Sequence, residues 1–199
     1  MTVKKEDINS YISEFLKVID SIYGLYLDST LGFKLVENYI NNMQKNAMKL
    51  IGHAATIAKL DEKAFSYGNG HPERGLILHR TTQGELKKRN KKDGPNFKVA
   101  GNLLVVQIYQ YWEDYYRGKL ANLKGLEKDG LKSDVFGELK EFRASIIHNK
   151  GNTTNEQATK TKKFKWFTKG EEIFLTENQV LEIVEAVNEY LVSLKLSEK

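Results

Sequence analysis

Apolar residues at positions 8, 11, 12, 15, 16, 18, 19, 22, 23 and 26 recur at three-and-four spacing, the period at which one face of an α-helix meets a core. The spacing predicts an amphipathic helix from Ile8 to about Leu27, and the strings FKLVENYI and AMKLIGHAATIA predict a second from about Leu31 to Ala58. His53 falls in that second helix among Gly52, Ala54 and Ala55 and reads as a packed, hydrogen-bonded histidine. The pattern then breaks. Residues 66–98 carry Gly68, Gly70, Pro72, Gly75, Gly84, Gly94 and Pro95 among polar residues, which predicts one long inserted loop. Loops of that length inside a compact domain are uncommon and are usually functional or mobile.

Helical periodicity returns between Phe97 and about Leu123. The string FKVAGNLLVVQIYQYWEDYYRGKLANL is apolar around most of its circumference and predicts the central, most buried helix. On an ideal wheel Asn102, Gln107, Gln110, Glu113, Asp114 and Arg117 gather on one side of it. Ser133 suits the N-cap of a helix through DVFGELKEFRASIIHN, and Gly151 suits its left-handed end. Residues 163–175, KFKWFTKGEEIFL, predict a small β-hairpin turning near Lys169 and Gly170. Thr176 with Gln179 predicts a capping box that opens a final amphipathic helix to about Leu194. The architecture expected is an all-α helical bundle in a single domain over 1–199, with a long basic loop at 66–98 and a β-hairpin before the C-terminal helix.

Composition narrows the class. The 199 residues are 40% hydrophobic and 29% charged, the proportions of a globular domain rather than of a disordered or collagen-like chain. There is no cysteine, which removes disulfide scaffolds, zinc ribbons, iron–sulfur clusters and thiol nucleophiles. The N-terminal string MTVKKEDINSYISEF places charges where a signal peptide needs its apolar core, and no run approaches the roughly 18 apolar residues of a membrane span. The expectation is a cytoplasmic protein with no membrane association. GNG at 68–70 lacks a preceding strand and the third glycine of a dinucleotide loop, and no P-loop, serine elbow or HExxH string is present. His71 and His79 flank Gly75 with neither cysteines nor clustered carboxylates beside them, so no metal site is expected there.

Lysine plus arginine outnumber aspartate plus glutamate by 31 to 26, and the excess is local. Residues 87–92, KKRNKK, place Lys87, Lys88, Arg89, Lys91 and Lys92 together, and the run from Lys160 to Lys169 sets Lys162, Lys163 and Lys165 beside Phe164, Trp166 and Phe167. Cations beside aromatic rings suit a single-stranded nucleic acid, phosphates meeting the first and base faces the second. Each run taken alone also reads as a solvated, lysine-rich loop.

The helix from Asp134 carries the residues most suited to chemistry. Val135, Phe136, Leu139, Phe142, Ile146 and Ile147 form one apolar stripe, and Arg143 falls inside it. A guanidinium on a core-facing stripe must be paired or must face a polar cavity. Glu113 or Asp114 is the protein partner expected, and a phosphate is the functional one. His148 lies in the last turn, where the helix dipole favours a protonated imidazole, a placement that suits acid–base work and equally a plain C-terminal cap. Five residues set His148 about 140° from Arg143 on an ideal helix. Either the helix end distorts, or two subunits share the site. Glu113 and Arg117, four apart, read as an intrahelical ion pair or as a support that orients Arg143.

The string EFRASIIHNKG, Glu141 to Gly151, resembles the R-x4-6-H signature of the HEPN superfamily, whose members often read Arg, a polar residue, three more, then His-Asn and a glycine-containing turn. The resemblance implies a small all-α bundle with this motif near the end of a late helix, and a homodimer whose two Arg/His pairs meet in a cleft at the interface. Many members are metal-independent RNA endonucleases of toxin–antitoxin, abortive-infection and other phage-defence systems. Carried onto this chain, the resemblance makes Arg143 the holder of the scissile phosphate and His148 the group that moves protons, with Asn149, Glu113 and Arg117 in support. Asn149 then either positions the phosphate or ties the helix end. No cofactor is implied. The partners implied are RNA, a second copy of the chain, and an antitoxin or defence-system protein. Ala144 stands where the family often has Asn, Asp or His, and Lys150 where some toxin members carry a tyrosine that is modified to silence them. Other members keep the fold without catalysis, so the alternative is a non-catalytic HEPN-like RNA-binding or protein-interaction module.

Overall fold

A computed structural model describes residues 2–52, 55–69 and 75–196; His53 and His71 lie outside them. The chain is mostly helical, with one small antiparallel pair of strands. In order it forms α1 (Thr2–Ile51), α2 (Ile57–Asp61), β1 (Ala64–Asn69), β2 (Leu76–Thr82), α3 (Gln83–Asn90), α4 (Pro95–Tyr111), a π-helical turn (Trp112–Tyr116), α5 (Arg117–Leu123), a 3-10 turn (Lys128–Gly130), α6 (Asp134–His148), α7 (Asn155–Lys160) and α8 (Glu177–Leu196). No helix among the described residues is long and apolar enough to cross a membrane. The chain divides into two compact units, one of Met1–Leu27 with Lys98–Lys199 and one of Asp28–Phe97.

The two helices expected before residue 58 are one. α1 runs unbroken for 50 residues, because the expected break at Asp28-Ser29-Thr30 contains no proline and nothing else forces the chain out of the helix. Gly24 and Gly32 lower helix propensity without stopping it. The helix ends at Gly52, whose φ of 66° suits glycine.

In the unit Asp28–Phe97, the expected 66–98 loop is instead a hairpin followed by a helix. β1 and β2 pair antiparallel with Tyr67 opposite His79 and an irregularity in register between Tyr67 and Gly68. A strand therefore does lead into Gly68, while Gly70 lies outside the described residues. Thr82 then caps α3, its hydroxyl accepting from the Glu85 amide at 3.2 Å, and Pro95 opens α4, a position where its missing N–H costs nothing. The glycines and prolines that read as loop punctuate elements too short to show a period. Inside this unit a polar knot accompanies the buried Ile40, Leu60, Leu86 and Phe97. Lys87 Nζ lies 2.7 Å from Asp61 and donates to Gln44 Oε1 at 2.8 Å, and Gln44 Nε2 donates to Asp61 at 2.8 Å and to Gln83 at 3.1 Å. The Lys87 ammonium holds the Asp61 carboxyl below the usual carboxylate range.

The other unit is built on stacked aromatic rings. Trp112 lies on Phe136 at 4.1 Å and 9°, Phe15 lies on Tyr116 at 4.3 Å, and Tyr190 meets both Trp112 and Phe136 edge-on at 5.8 Å. Such pairs contribute about 0.5–1.5 kcal/mol each beyond the area they bury. The π-helical turn keeps Trp112 and Tyr116 inside, and its extra residue breaks the regular wheel on which one polar face was drawn. Asn102 is buried and donates to the Ile173 carbonyl at 3.3 Å, whereas Gln107, Gln110 and Asp114 are exposed. Nor is α4 buried all round: Val99, Leu103 and Tyr111 are exposed opposite buried Leu104, Val105 and Ile108.

Residues 163–175 do not form the expected hairpin. Their turn is present, with Gly170 at φ 81° and the Glu171 amide on the Thr168 carbonyl, but the flanking segments bond elsewhere. The Ile173 amide donates to Gly151 at 2.7 Å and the Gly170 amide to Thr153 at 2.7 Å. On the other side, the buried Glu138 carboxylate accepts the amides of Lys162, Lys163 and Phe164 at 2.7, 2.6 and 2.8 Å. An acceptor of that strength takes the donors that a strand pair would have used. The capping box expected at Thr176 and Gln179 is formed, as is the Ser133 cap of α6.

Glu138→Ala leaves three donors without their acceptor, so it should lower the unfolding free energy by about 3 kcal/mol in urea denaturation; an unchanged midpoint would show that the clamp does not hold the segment. Because the folded Asp61 carboxyl titrates below its unfolded value, its stabilisation is complete above the ordinary range and is lost as pH falls through the depressed one. Thermal stability between about pH 5 and 2 should therefore fall more steeply in the native chain than in Asp61→Asn.

Candidate functional site

α6 presents the candidate residues, and its orientation follows from its neighbours. Phe136, Leu139 and Phe142 are buried, while Ile147, expected on the same stripe, is about half exposed because that stripe drifts out of the core toward the helix end. Residues 162–167, pinned by Glu138, cover the Phe142 side: Trp166 stacks on Phe142 at 6.1 Å and lies against Phe164 at 4.7 Å, tilted by 33°.

Arg143 is half-buried, with its guanidinium carbon 5.9 Å from the centroid of the Tyr109 ring. Its Nε is buried and has no hydrogen-bond partner. The pairing expected with Glu113 or Asp114 is not made. Glu113 lies 3.0 Å from Arg117 and 2.8 Å from Lys128, and Asp114 accepts from Gln110. Burial pushes the Glu113 carboxyl up, and the Lys128 and Arg117 cations more than reverse this, leaving it below its ordinary value. Arg117 also donates through Nε to the Leu131 carbonyl at 3.1 Å and lies 3.3 Å from Asp129. The Glu113–Arg117 pair is thus an intrahelical tie that also closes the loop after α5. Burial raises the Tyr109 phenol above its ordinary range, Glu113 raises it further, and Arg143 and Arg117 act against both. What remains at Arg143 is a permanent cation, half-buried and with no carboxylate paired to it among the described residues. A bidentate phosphate matches that fork.

His148 ends α6, exposed and without a hydrogen bond or ion pair among the described residues. The helix is regular up to it, so the end does not distort and the offset of about 140° from Arg143 stands. Beyond His148 the chain reverses through Lys150 and Gly151, both at positive φ, and the Gly151 amide closes on the Ser145 carbonyl at 2.9 Å. Asn149 ties this end: its side chain donates to Gln157 Oε1 at 3.3 Å. The same oxygen accepts from Ser145 Oγ at 2.6 Å and from the Thr154 amide at 2.9 Å. Gln157 and Glu138 were missed in the sequence; the Thr154-x-x-Gln157 capping box was legible, whereas nothing local marks Glu138 as a buried anchor.

The basic runs divide. Lys87 is taken by Asp61 and Gln44, and Arg89 by His79 and Tyr67, while Lys88, Lys91 and Lys92 are exposed. Lys162, Lys163 and Lys165 point outward, whereas Trp166 is half-buried against Phe142 and Phe164. A groove of about 680 Å³ beside α4, lined by Glu14, Val18, Gln107 and Tyr111 among others, contains neither Arg143 nor His148. Among the described residues no group of three His, Asp or Glu side chains is placed to hold a metal ion. No protein-family model, curated protein or solved structure matches this chain.

Arg143→Met removes a charge that opposes the raised Tyr109 phenol, so the Tyr109 titration should move further up, read from the ring Cζ shift of labelled tyrosine in an alkaline series. An unmoved Tyr109 would place the guanidinium elsewhere.

Proposed function

We propose that the chain is a metal-independent RNA endonuclease of the HEPN type, acting as a homodimer in phage defence or a toxin–antitoxin system. The observation that carries this reading is Arg143, a cation held against Tyr109 without a carboxylate, five residues before an exposed histidine in the string RASIIHN. A permanently charged fork that no protein anion neutralises favours an anion from outside the chain. The regular α6 separates the two side chains within one protomer, which favours a site assembled from two copies.

In this reading Arg143 grips the scissile phosphate and stabilises the charge that develops on its oxygens. The ribose 2′-oxygen forms a bond to phosphorus as the bond to the 5′-oxygen breaks. His148 takes the 2′-hydroxyl proton or delivers one to the departing 5′-oxygen. The products carry 2′,3′-cyclic phosphate and 5′-hydroxyl ends. Asn149, bonded to Gln157, keeps the helix end in place, and Glu113 and Arg117 bound the surroundings of Tyr109. Exposed Lys162, Lys163 and Lys165 add sequence-independent attraction for the RNA backbone. An antitoxin or another defence protein is the partner that would hold such an enzyme at rest.

Purified protein incubated with mixed-sequence RNA in EDTA should cleave it, and Arg143→Ala and His148→Ala should each reduce the rate by at least a hundredfold, about the contribution of one positioned acid–base or charge-stabilising group. Light scattering on the same samples should give the mass of a dimer. Cleavage that needs magnesium, or that survives His148→Ala, would overturn the assignment. Salt-dependent binding without turnover would select the non-catalytic module.

A further inference from the structure

The hairpin β1–β2 is more ordered in its side chains than its burial explains. Every residue of β2 from Leu76 to Arg80 is exposed, and a two-stranded hairpin in water is marginal by itself. Yet one of its faces is built. Tyr67 stands opposite His79 with their rings 5.9 Å apart at 35°, and Phe65 meets Tyr67 edge-on at 5.4 Å. Arg89 of α3 fastens the pair, donating from one terminal nitrogen to His79 Nε2 at 3.2 Å and from the other to the Tyr67 hydroxyl at 3.4 Å, with its carbon 6.0 Å from the Tyr67 ring centroid. A guanidinium only donates, so Nε2 is the accepting nitrogen. The register irregularity falls immediately after Tyr67, the kind of feature that re-aims a side chain. Tyr67 nevertheless stays 41% exposed.

Along the hairpin, α3 and the residues that follow it, the exposed charge is mostly of one sign. Lys88, Lys91 and Lys92 face solvent, and Arg80, opposite Ser66, faces solvent on the other side of the hairpin. The described acids between Ala64 and Asp93 are Glu85, 3.8 Å from Lys88, and Asp93 at the end of the run. Fixed, partly open rings in a unit whose neighbouring α3 carries exposed cations match unpaired bases attached to phosphates, because stacking requires a base that is not already in a helix.

We propose that the hairpin and α3 form a docking platform for a single-stranded segment of RNA, with Tyr67 and His79 as its stacking surface and Lys88, Lys91 and Lys92 as its phosphate contacts. The choice of RNA rests on the ribonuclease reading; the platform adds where the substrate strand is held, in the unit Asp28–Phe97 rather than in the unit that carries Arg143 and His148. Arg89 orients the rings before the strand arrives, so less freedom is lost on binding.

The test uses the full chain carrying His148→Ala, so that RNA is retained, and follows the anisotropy of a fluorescein-labelled, mixed-sequence single-stranded oligoribonucleotide. Adding Tyr67→Ala should weaken binding about tenfold or more, the scale of removing one stacked base, while Tyr67→Phe keeps most of it. Adding Lys91→Ala with Lys92→Ala, both on exposed positions, should lower the slope of log Kd against log salt by about 0.7 for each phosphate no longer neutralised. Duplex RNA should compete poorly. If both sets of variants bind like the His148→Ala chain, or if duplex competes as well as single strand, the platform is wrong and the ribonuclease reading is untouched. If the His148→Ala chain binds no RNA in a salt-dependent way, both fall.

Discussion

The carboxylate of Glu138 decides how the second half of the chain is arranged. It is buried, it forms no ion pair among the described residues, and three consecutive backbone amides converge on it. A buried charge is tolerable only when its hydrogen-bonding capacity is met, and the run from Lys162 to Phe164 meets it. That clamp lays the segment against α6, seats Phe164 and Trp166 on Phe142, and leaves Lys162, Lys163 and Lys165 outside. It also removes the donors a hairpin over 163–175 would have needed. The basic, aromatic character of this run therefore serves two ends: the rings complete the core and the lysines charge the surface.

With one side of α6 covered in this way, Arg143 faces Tyr109 of α4. Its solitude has a backbone cause. The π-helical turn at Trp112–Tyr116 is closed around aromatic packing, and the acids it carries are drawn to Arg117, Lys128 and Gln110. Irregular turns of this kind recur at functional sites. Here the turn leaves a guanidinium with a dry Nε and no internal anion, a state that costs stability.

The two compact units handle polarity differently. One buries stacked rings and a carboxylate; the other buries a few aliphatic side chains and Phe97 and adds two polar ties, Gln44, Asp61, Gln83 and Lys87 in one and Arg89, His79 and Tyr67 in the second. Both ties draw on the basic string at 87–92. Within α3, Lys87 and Arg89 hold the fold while Lys88 between them faces water, a division set by the helix, which turns successive side chains by about 100°.

Local chemistry was readable without the fold. The caps at Ser133 and Thr176, the left-handed glycine after α6, the helical run through Arg143 and His148, and the absence of thiol chemistry all follow from short-range rules in which a residue acts on neighbours within one turn. Long-range competition was not readable. Only the folded chain decides that Glu138 takes the amides of 162–164, that Glu113 goes to Lys128 and Arg117 rather than to Arg143, and that a π-helical turn interrupts the central wheel. It also decides that glycine-rich 66–98 is a hairpin and a helix. In each case a donor or acceptor had several partners in the sequence, and the one it found depends on which groups packing brings within about 3 Å. Side-chain periodicity carries the positions of helices along a chain; the partner of a buried charge is a property of three dimensions.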